Sequence, residues 1–112
     1  MLVVSTRAYE MMIIVDGEHE DAMVDDVVSR VETWLGEDEG RLVTTDKWGK
    51  RKFAYEIDHK TEGHYVVLEM VTGPRDMSPL ERSLRLADEI VRHKLIRLPD
   101  HEAARRGLLE VS

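Results

Sequence analysis

The sequence predicts an α+β fold whose elements follow the order β-α-β-β-α-β. Two segments repeat apolar residues every three or four positions, as amphipathic helices do, and four others are rich in the Val, Ile, Thr and aromatic residues typical of strands. A chain of 112 residues is long enough for one domain with its own core. We expect this domain to span residues 1–98 and a flexible tail to occupy residues 99–112.

A strand and a helix open the pattern. The compact apolar run RAYEMMIIV predicts a buried strand over Arg7–Val15. After a polar turn, the segment DAMVDDVVSRVETWLGEDEG predicts a helix whose first turns carry acids, which the helix dipole favours. Its apolar stripe consists of Val24, Val27, Val28, Val31, Trp34 and Leu35.

Two strands follow, and the first of them is irregular. The segment RLVTTDKWGKRKFAYEI (Arg41–Ile57) is long for one strand and contains Gly49. A glycine inside a strand indicates a bulge, a bend or a tight turn, so the segment is either one kinked strand or a hairpin, and we favour the kinked strand. After the turn DHKTEG, the run HYVVLEMV predicts the next strand over residues 64–71.

A second helix and a last strand complete the fold. In MSPLERSLRLAD, Ser78 is the expected N-cap, Pro79 takes the first helical position and Glu81 completes a capping box. The run IVRHKLIRL predicts the last strand, which Pro99 ends. This element order gives a ferredoxin-like sandwich, in which a four-stranded antiparallel sheet carries both helices on one face.

The sheet face without helices, here called the open face, is predicted to be apolar. If Val66, Leu68 and Met70 face the helices, strand alternation turns their neighbours to the open face. A face turned to water is normally polar, and an uncovered apolar patch usually marks a binding surface, although scattered single apolar residues are normal on surfaces. The predicted partner contacts on this face are Met12, Ile14, Tyr65 and Val67.

Positive charge is concentrated locally although the net charge is −7. Residues 16–39 hold ten acids and one base, whereas residues 41–60 hold six bases and three acids, and residues 82–97 hold five bases and two acids. The acidic total argues against indiscriminate coating of DNA. It leaves room for local contact with phosphates, because the potential depends on where charges lie.

The stretch DKWGKRK is the most concentrated of these basic segments. Its four cations can each neutralise a phosphate, and Trp48 offers a flat face to a base. Simple alternation would put Lys50 and Lys52 on one side of the strand, and Lys47 and Arg51 on the other. A solvated lysine run that protects a sheet edge beside a half-buried tryptophan fits the same residues equally well.

The sequence offers no arrangement for catalysis, cofactors or metals. Without cysteine there is no disulfide framework, thiolate zinc site or cysteine nucleophile, which is compatible with the cytosol. The five histidines lack paired ligand spacing, and neither a phosphate-binding glycine loop nor a serine nucleophile elbow is present. No apolar run is long enough for a bilayer. We therefore expect no enzyme, cofactor, metal, small-molecule substrate or membrane association.

Three stretches, in order, resemble the bacterial small-ribosomal-subunit protein six family. They are RAYEMMIIV, DKWGKRKFAYEIDHKTEGHYVVLEM and LERSLRLADEIVRHKLIR, so the resemblance runs from Arg7 to about Leu98. The middle block is the most specific, with W-G-[KR]-[KR], then A-Y-x-I, then a glycine before the third strand. The resemblance implies a structural component of the small subunit, on the ribosome in the cytoplasm. It implies binding to the central domain of 16S ribosomal RNA as a heterodimer with small-subunit protein eighteen, a basic partner packed on the sheet.

The resemblance also implies which side chains contact RNA. It covers the R-x-Y-E start, the W-G-K-R-K block and the last strand. The cationic run adds one lysine, and Arg85 of the second helix either contacts RNA or pairs with an acid of its helix. The candidate RNA contacts are Arg7, Tyr9, Lys47, Trp48, Lys50, Arg51, Lys52, Arg85, Arg92 and Lys94. In the family, the positions of Tyr65 and Val67 lie on the partner-facing side of the third strand. The alternative function is a ferredoxin-like interaction or regulatory domain that self-associates through its open face without RNA.

Overall fold

The computed structural model describes residues 6–109, and within them the predicted element order is confirmed, with one further helix at the end. In chain order, the elements are β1 (Arg7–Asp16), α1 (Asp21–Gly36), β2 (Arg41–Ile57), β3 (Lys60–Thr72), α2 (Ser78–Leu86), β4 (Ile90–Arg97) and α3 (Asp100–Arg105). The expected domain also includes residues 1–5, and the expected tail includes residues 110–112. Both segments lie outside the described residues.

The four strands form one antiparallel sheet in the order β2-β3-β1-β4, so the predicted ferredoxin-like α+β class is confirmed. Strand β1 pairs with β3 on one side and β4 on the other. This central place explains its nearly continuous apolar sequence, because a central strand has no edge exposed to water. Strands β2 and β4 are the two edges, and both carry cations.

The core lies between the sheet and the helices α1 and α2, on the face here called the helix face. Val66, Leu68 and Met70 face the helices as predicted, and the inward side chains of β1 and β3 are fully buried: Met11, Ile13, Val15, Val66, Leu68 and Met70. Helix α1 buries Val24, Val27, Val31 and Leu35 against them, while Val28 and Trp34 are only partly buried at the margin. Each fully buried side chain of this size contributes about 1.5–3 kcal/mol through removal from water.

Strand β2 is a single kinked strand, as favoured from its sequence. Its pairing register with β3 shifts between Lys47 and Gly49, which is a β-bulge. Gly49 has a φ of 88°, a conformation that glycine adopts without the steric cost of a Cβ atom. The extra residue at this bulge is Trp48.

The start of α2 differs from its prediction. Ser78 is the first helical residue and not the N-cap, and no side chain caps the helix from position 77. The carboxylate of Asp76 accepts a hydrogen bond from the backbone N–H of Ser78 at 2.9 Å, which is an Asx turn, and this turn moves the helix start by one residue. Glu81 makes no capping box and lies instead 3.1 Å from Nε2 of His93.

The segment after Leu98 also differs from the flexible tail that we expected. Helix α3 follows Pro99, and Ala103 and Leu108 are buried in a second small apolar cluster with Ala8, Val71 and Leu98. The cause is local: a glycine with a φ of 77° at position 107 turns the chain, and the N–H of Leu108 donates to the carbonyl of Ala103 at 2.8 Å.

Helix α3 covers one end of the open face. Ala8 and Val71 are paired across β1 and β3, and both alternate with residues of the helix face. The prediction that this sheet face carries no helix is therefore wrong at this end, and it holds for the rows that follow toward Tyr65.

Candidate nucleic-acid and partner interface

Cross-strand pairs define the rows of the open face, because directly opposite residues share a face. From the end covered by α3, the successive pairs of β1 and β3 are Glu10–Glu69, Met12–Val67 and Ile14–Tyr65. Met12, Val67 and Tyr65 are half-buried and reach the surface of this face. The structure thus brings the four predicted partner residues together in two adjacent rows.

Ile14 lies deeper than the other three, with 9% of its surface exposed. A Cβ atom on Gly63 would meet Ile14 Cγ2 at 2.6 Å and Phe53 Cζ at 2.9 Å, so Phe53 and the glycine backbone close over Ile14. Gly63 is needed at this position for that close approach. Ile14 therefore packs beneath the surface residues of the open face, and we remove it from the direct partner contacts.

Three aromatic rings form the middle of the open face. The ring of Trp48 stacks on that of Tyr65 at 6.3 Å between centroids, and Phe53 meets Tyr65 edge-on at the same distance. The indole N–H of Trp48 donates to Asp46 at 3.0 Å, which fixes the ring, yet 41% of Trp48 stays exposed. A fixed and exposed indole is typical of residues that anchor a macromolecular interface.

The bulge changes which way the β2 cations point. Lys47 pairs with Val66 and Lys50 with His64, and both partners lie on the helix face. Lys47 accordingly forms an ion pair with Asp25 of α1. The predicted grouping of Lys47 with Arg51 is wrong, because the extra residue at the bulge reverses the alternation on one side of it.

Arg51 is the β2 cation that lies on the open face. It pairs in register with Gly63, and its guanidinium carbon lies 5.2 Å from the centre of the Trp48 ring. Lys52 points to the helix face opposite Glu62 and is exposed at the sheet edge, and Glu62 is also 3.6 Å from Nζ of Lys50.

Strand β4 carries cations on the opposite edge of the same face. Arg92 pairs with Ile14, and Lys94 pairs with Met12, so both lie on the open face and are exposed. The next residue on this face, Ile96, is 40% exposed. Sequence reasoning missed Ile96 because the facing of β4 could be assigned only from its register with β1.

The remaining RNA candidates are scattered. Arg7 pairs with Thr72 at the end of the sheet and is half-buried. Tyr9 is only 6% exposed and belongs to the core on the helix face, so we remove it from the RNA contacts; the resemblance carried no information about its burial. Arg85 is exposed in the last turn of α2, where the helix dipole favours a cation, and lines a surface cleft with Arg92.

An ion-pair cluster that the sequence did not predict closes the α3 end of the open face. Nη1 of Arg106 lies 3.1 Å from Glu10 and 3.1 Å from Glu69, and its Nε donates to Glu102 at 2.9 Å. Hydrogen bonds from Arg105 and then Arg106 lower the pKa of Glu102 to about 2. The spacing of Glu102 and Arg106 was visible in the sequence, but the contacts of Arg106 with two distant strands were not.

Residues 6–109 contain no group of three or more His, Asp or Glu placed to hold a metal ion. Within the same residues, no helix combines the length and the apolar composition that crossing a membrane requires.

Comparison with known proteins identifies the family. The family model described as Ribosomal protein S6 matches residues 8–97. Small ribosomal subunit protein bS6 of Salinispora arenicola is 40% identical over 91 residues, which are 81% of this chain and 95% of that protein. The same protein of Carboxydothermus hydrogenoformans is 36% identical, with the same shares of both chains covered.

A solved structure agrees with this identification. The crystal structure of 30S ribosomal protein S6 from Thermotoga maritima superposes with a TM-score of 0.79 at 31% identity, covering 92% of this chain and 97% of that one. The chain therefore belongs to the ribosomal protein S6 family, whose members are structural proteins of the small subunit of cytoplasmic ribosomes and not enzymes.

Proposed function

We propose that this protein binds the central domain of 16S ribosomal RNA together with small-subunit protein eighteen, which docks on the open face. As a small-subunit protein, the chain associates with ribosomal RNA. One observation carries the finer proposal: the open face is apolar and aromatic in its middle and cationic along both edges. The family resemblance supplies the identity of the partner and of the RNA region.

The middle of the open face suits a protein partner. Met12 and Val67 form one half-buried row, and Trp48 of β2 and Ile96 of β4 lie near it on the same face, each about two-fifths exposed. An apolar surface of this kind, with a fixed and exposed aromatic ring, is where interface energy concentrates. The partner would thus cover side chains that otherwise remain in water.

The edges suit RNA. Arg51 lies at the β2 edge of the open face, and Arg92 and Lys94 lie at the β4 edge. None of the three has an ion-pair partner among the described residues, so they can contact phosphates without giving up an internal carboxylate. Ten of the 23 acids lie in residues 16–39, the segment that contains α1 behind the sheet, so this concentration of negative charge is centred away from these edges.

Two of the predicted phosphate contacts are engaged within the protein. Lys47 pairs with Asp25, and Lys50 lies near Glu62. Both ion pairs are solvent-exposed, and exposed pairs contribute little, so RNA can displace them at small cost. Lys52 and Arg85 are exposed and complete the proposed set of contacts.

The test is binding to a central-domain fragment of 16S ribosomal RNA across a salt series, with and without protein eighteen. We expect tight binding only when the partner is present, weakening as salt rises. The double charge reversal Lys50→Glu and Arg51→Glu is expected to abolish it, whereas Arg82→Glu, an exposed reversal on α2, retains it.

Two other outcomes decide against the proposal. Absence of RNA binding with and without protein eighteen would overturn it. Self-association that survives the double reversal, without any RNA binding, would support the alternative of a protein-interaction domain.

A further inference from the structure

Two carboxylates face each other on the open face beside its apolar row. Glu10 and Glu69 are direct cross-strand partners, one row from Met12 and Val67. Like charges at directly opposite positions destabilise a sheet. A cation between them offsets this repulsion, and Nη1 of Arg106 supplies one at 3.1 Å from each carboxylate.

Arg106 reaches this position from a small and separate element. Helix α3 spans only six residues, and its buried residue Ala103, together with Leu108 just after the helix, belongs to a cluster distinct from the main core. Detaching α3 would expose Ala8 and Val71 on the open face while leaving the core between the sheet and α1 and α2 closed. Helix α3 thus covers a second apolar row of the open face, which the Glu10–Glu69 row separates from the Met12–Val67 row where the partner is proposed to dock.

We infer that α3 is an internal occupant of the partner surface, and that a basic protein partner inserts an Arg or Lys side chain between Glu10 and Glu69 in place of Arg106. The identity of that partner, small-subunit protein eighteen, rests on the proposed function. An RNA phosphate is the wrong occupant, because two carboxylates repel it. Helix α3 then competes with the partner for the site between Glu10 and Glu69, and this competition lowers the affinity of the protein for the partner.

The geometry favours exchange of one cation for another. Arg106 touches both strands through a single nitrogen, so the remaining donors of a guanidinium are not used on the two carboxylates. Side-chain exposures are 32% for Glu10, 21% for Glu69 and 27% for Arg106, so the cluster is only partly shielded. A partner arginine that binds the carboxylates through two nitrogens, over a newly covered apolar row, makes a stronger contact than the one it replaces.

The first measurement is calorimetric titration of the full-length protein with purified small-subunit protein eighteen. Arg106→Ala removes the internal cation, and we expect it to bind the partner about tenfold more tightly than the wild type. Arg105→Ala is the matched control, because Arg105 also lies on α3 and pairs with Glu102 but has no bond to Glu10 or Glu69. It is expected to match the wild type.

The second measurement separates the carboxylates from α3. Glu10→Gln and Glu69→Gln, added together to Arg106→Ala, are expected to abolish the tenfold gain and to reduce the salt dependence of partner binding. These amides preserve shape, and circular dichroism with thermal unfolding establishes that each variant is folded.

The outcomes are distinguishable from those of the proposed function. Equal affinities of the Arg106→Ala and Arg105→Ala variants would overturn this inference and leave the proposed function standing. Retention of the gain by the triple variant would also overturn it. Absence of protein eighteen binding by the wild type and all variants would overturn both.

Discussion

The indole of Trp48 lies parallel to the ring of Tyr65, with 6.3 Å between centroids and 6° between planes. The two residues belong to neighbouring strands, and their contact depends on the bulge that Gly49 permits in β2. Without the extra residue, strict alternation would not place Trp48 and Arg51 on one face. This bulge, one of three register shifts between β2 and β3, thus places Trp48 and Arg51 together on the open face.

Replacing Trp48 with alanine is expected to lower the free energy of unfolding by a modest amount, through loss of its contact with Tyr65. Loss of the stacked pair removes about 0.5–1.5 kcal/mol of stability beyond area burial. Tyr55→Ala is the matched control, an aromatic residue of the same strand that is 72% exposed, and it is expected to change stability by less than about 0.5 kcal/mol. Urea denaturation measures both changes; equal free energies of unfolding would show that the stack contributes nothing.

Gly49→Ala tests the bulge directly. A φ of 88° is strained for alanine, so we expect a loss of about 1–2 kcal/mol, although the space for the new Cβ atom is open. Gly36→Ala is the control, because its site is equally open, lies in α1 and has no positive φ. That change is expected to stabilise the helix by about 0.5–1 kcal/mol. Thermal unfolding compares the two, and a stabilised Gly49→Ala variant would contradict the backbone argument.

The regular parts of this fold could be predicted from the sequence, and the irregular parts could not. Two-residue periodicity predicted the facing of β1 and β3, because every second residue around Met11 and Leu68 is apolar and is fully buried on the helix face. The same periodicity failed for Lys47, since a bulge adds one residue and its exact place is not encoded by alternation. Arg106 was missed because its partner Glu10 lies 96 residues away in the chain.

Acid is expected to release Glu102 from Arg105 and Arg106. The pKa of Glu102 is about 2, below the ordinary 4.5, because the hydrogen bonds from Arg105 and then Arg106 favour the charged carboxylate. A lowered folded pKa means that this stabilisation is fully present above about pH 4.5 and is lost as the pH falls toward 2. Carbon-detected NMR titration of the Glu102 carboxyl group measures the midpoint.

A double variant tests whether the two arginines cause the lowered pKa of Glu102. In a variant with both Arg105→Ala and Arg106→Ala, the midpoint is expected to return toward 4.5. A wild-type midpoint already near 4.5 would show that the arginines do not hold Glu102 in solution.

Arg51 and Lys52 are consecutive residues on opposite faces of β2, so substitutions of the two are expected to affect binding differently. Arg51→Gln removes a phosphate contact and also the cation that lies over Trp48 on the open face. It is therefore expected to weaken RNA binding and, because Trp48 loses a contact that holds its ring, to weaken protein eighteen binding in the absence of RNA. Lys52→Gln leaves that affinity unchanged, because its side chain points away from the open face. In the complex of this protein, protein eighteen and RNA, Lys52→Gln is expected to make the negative slope of log K against log salt shallower by about 0.7–0.9. This is the amount expected for the loss of one phosphate contact. Fluorescence titrations across a salt series measure both quantities, and identical effects of the two variants would contradict the assignment of the two faces.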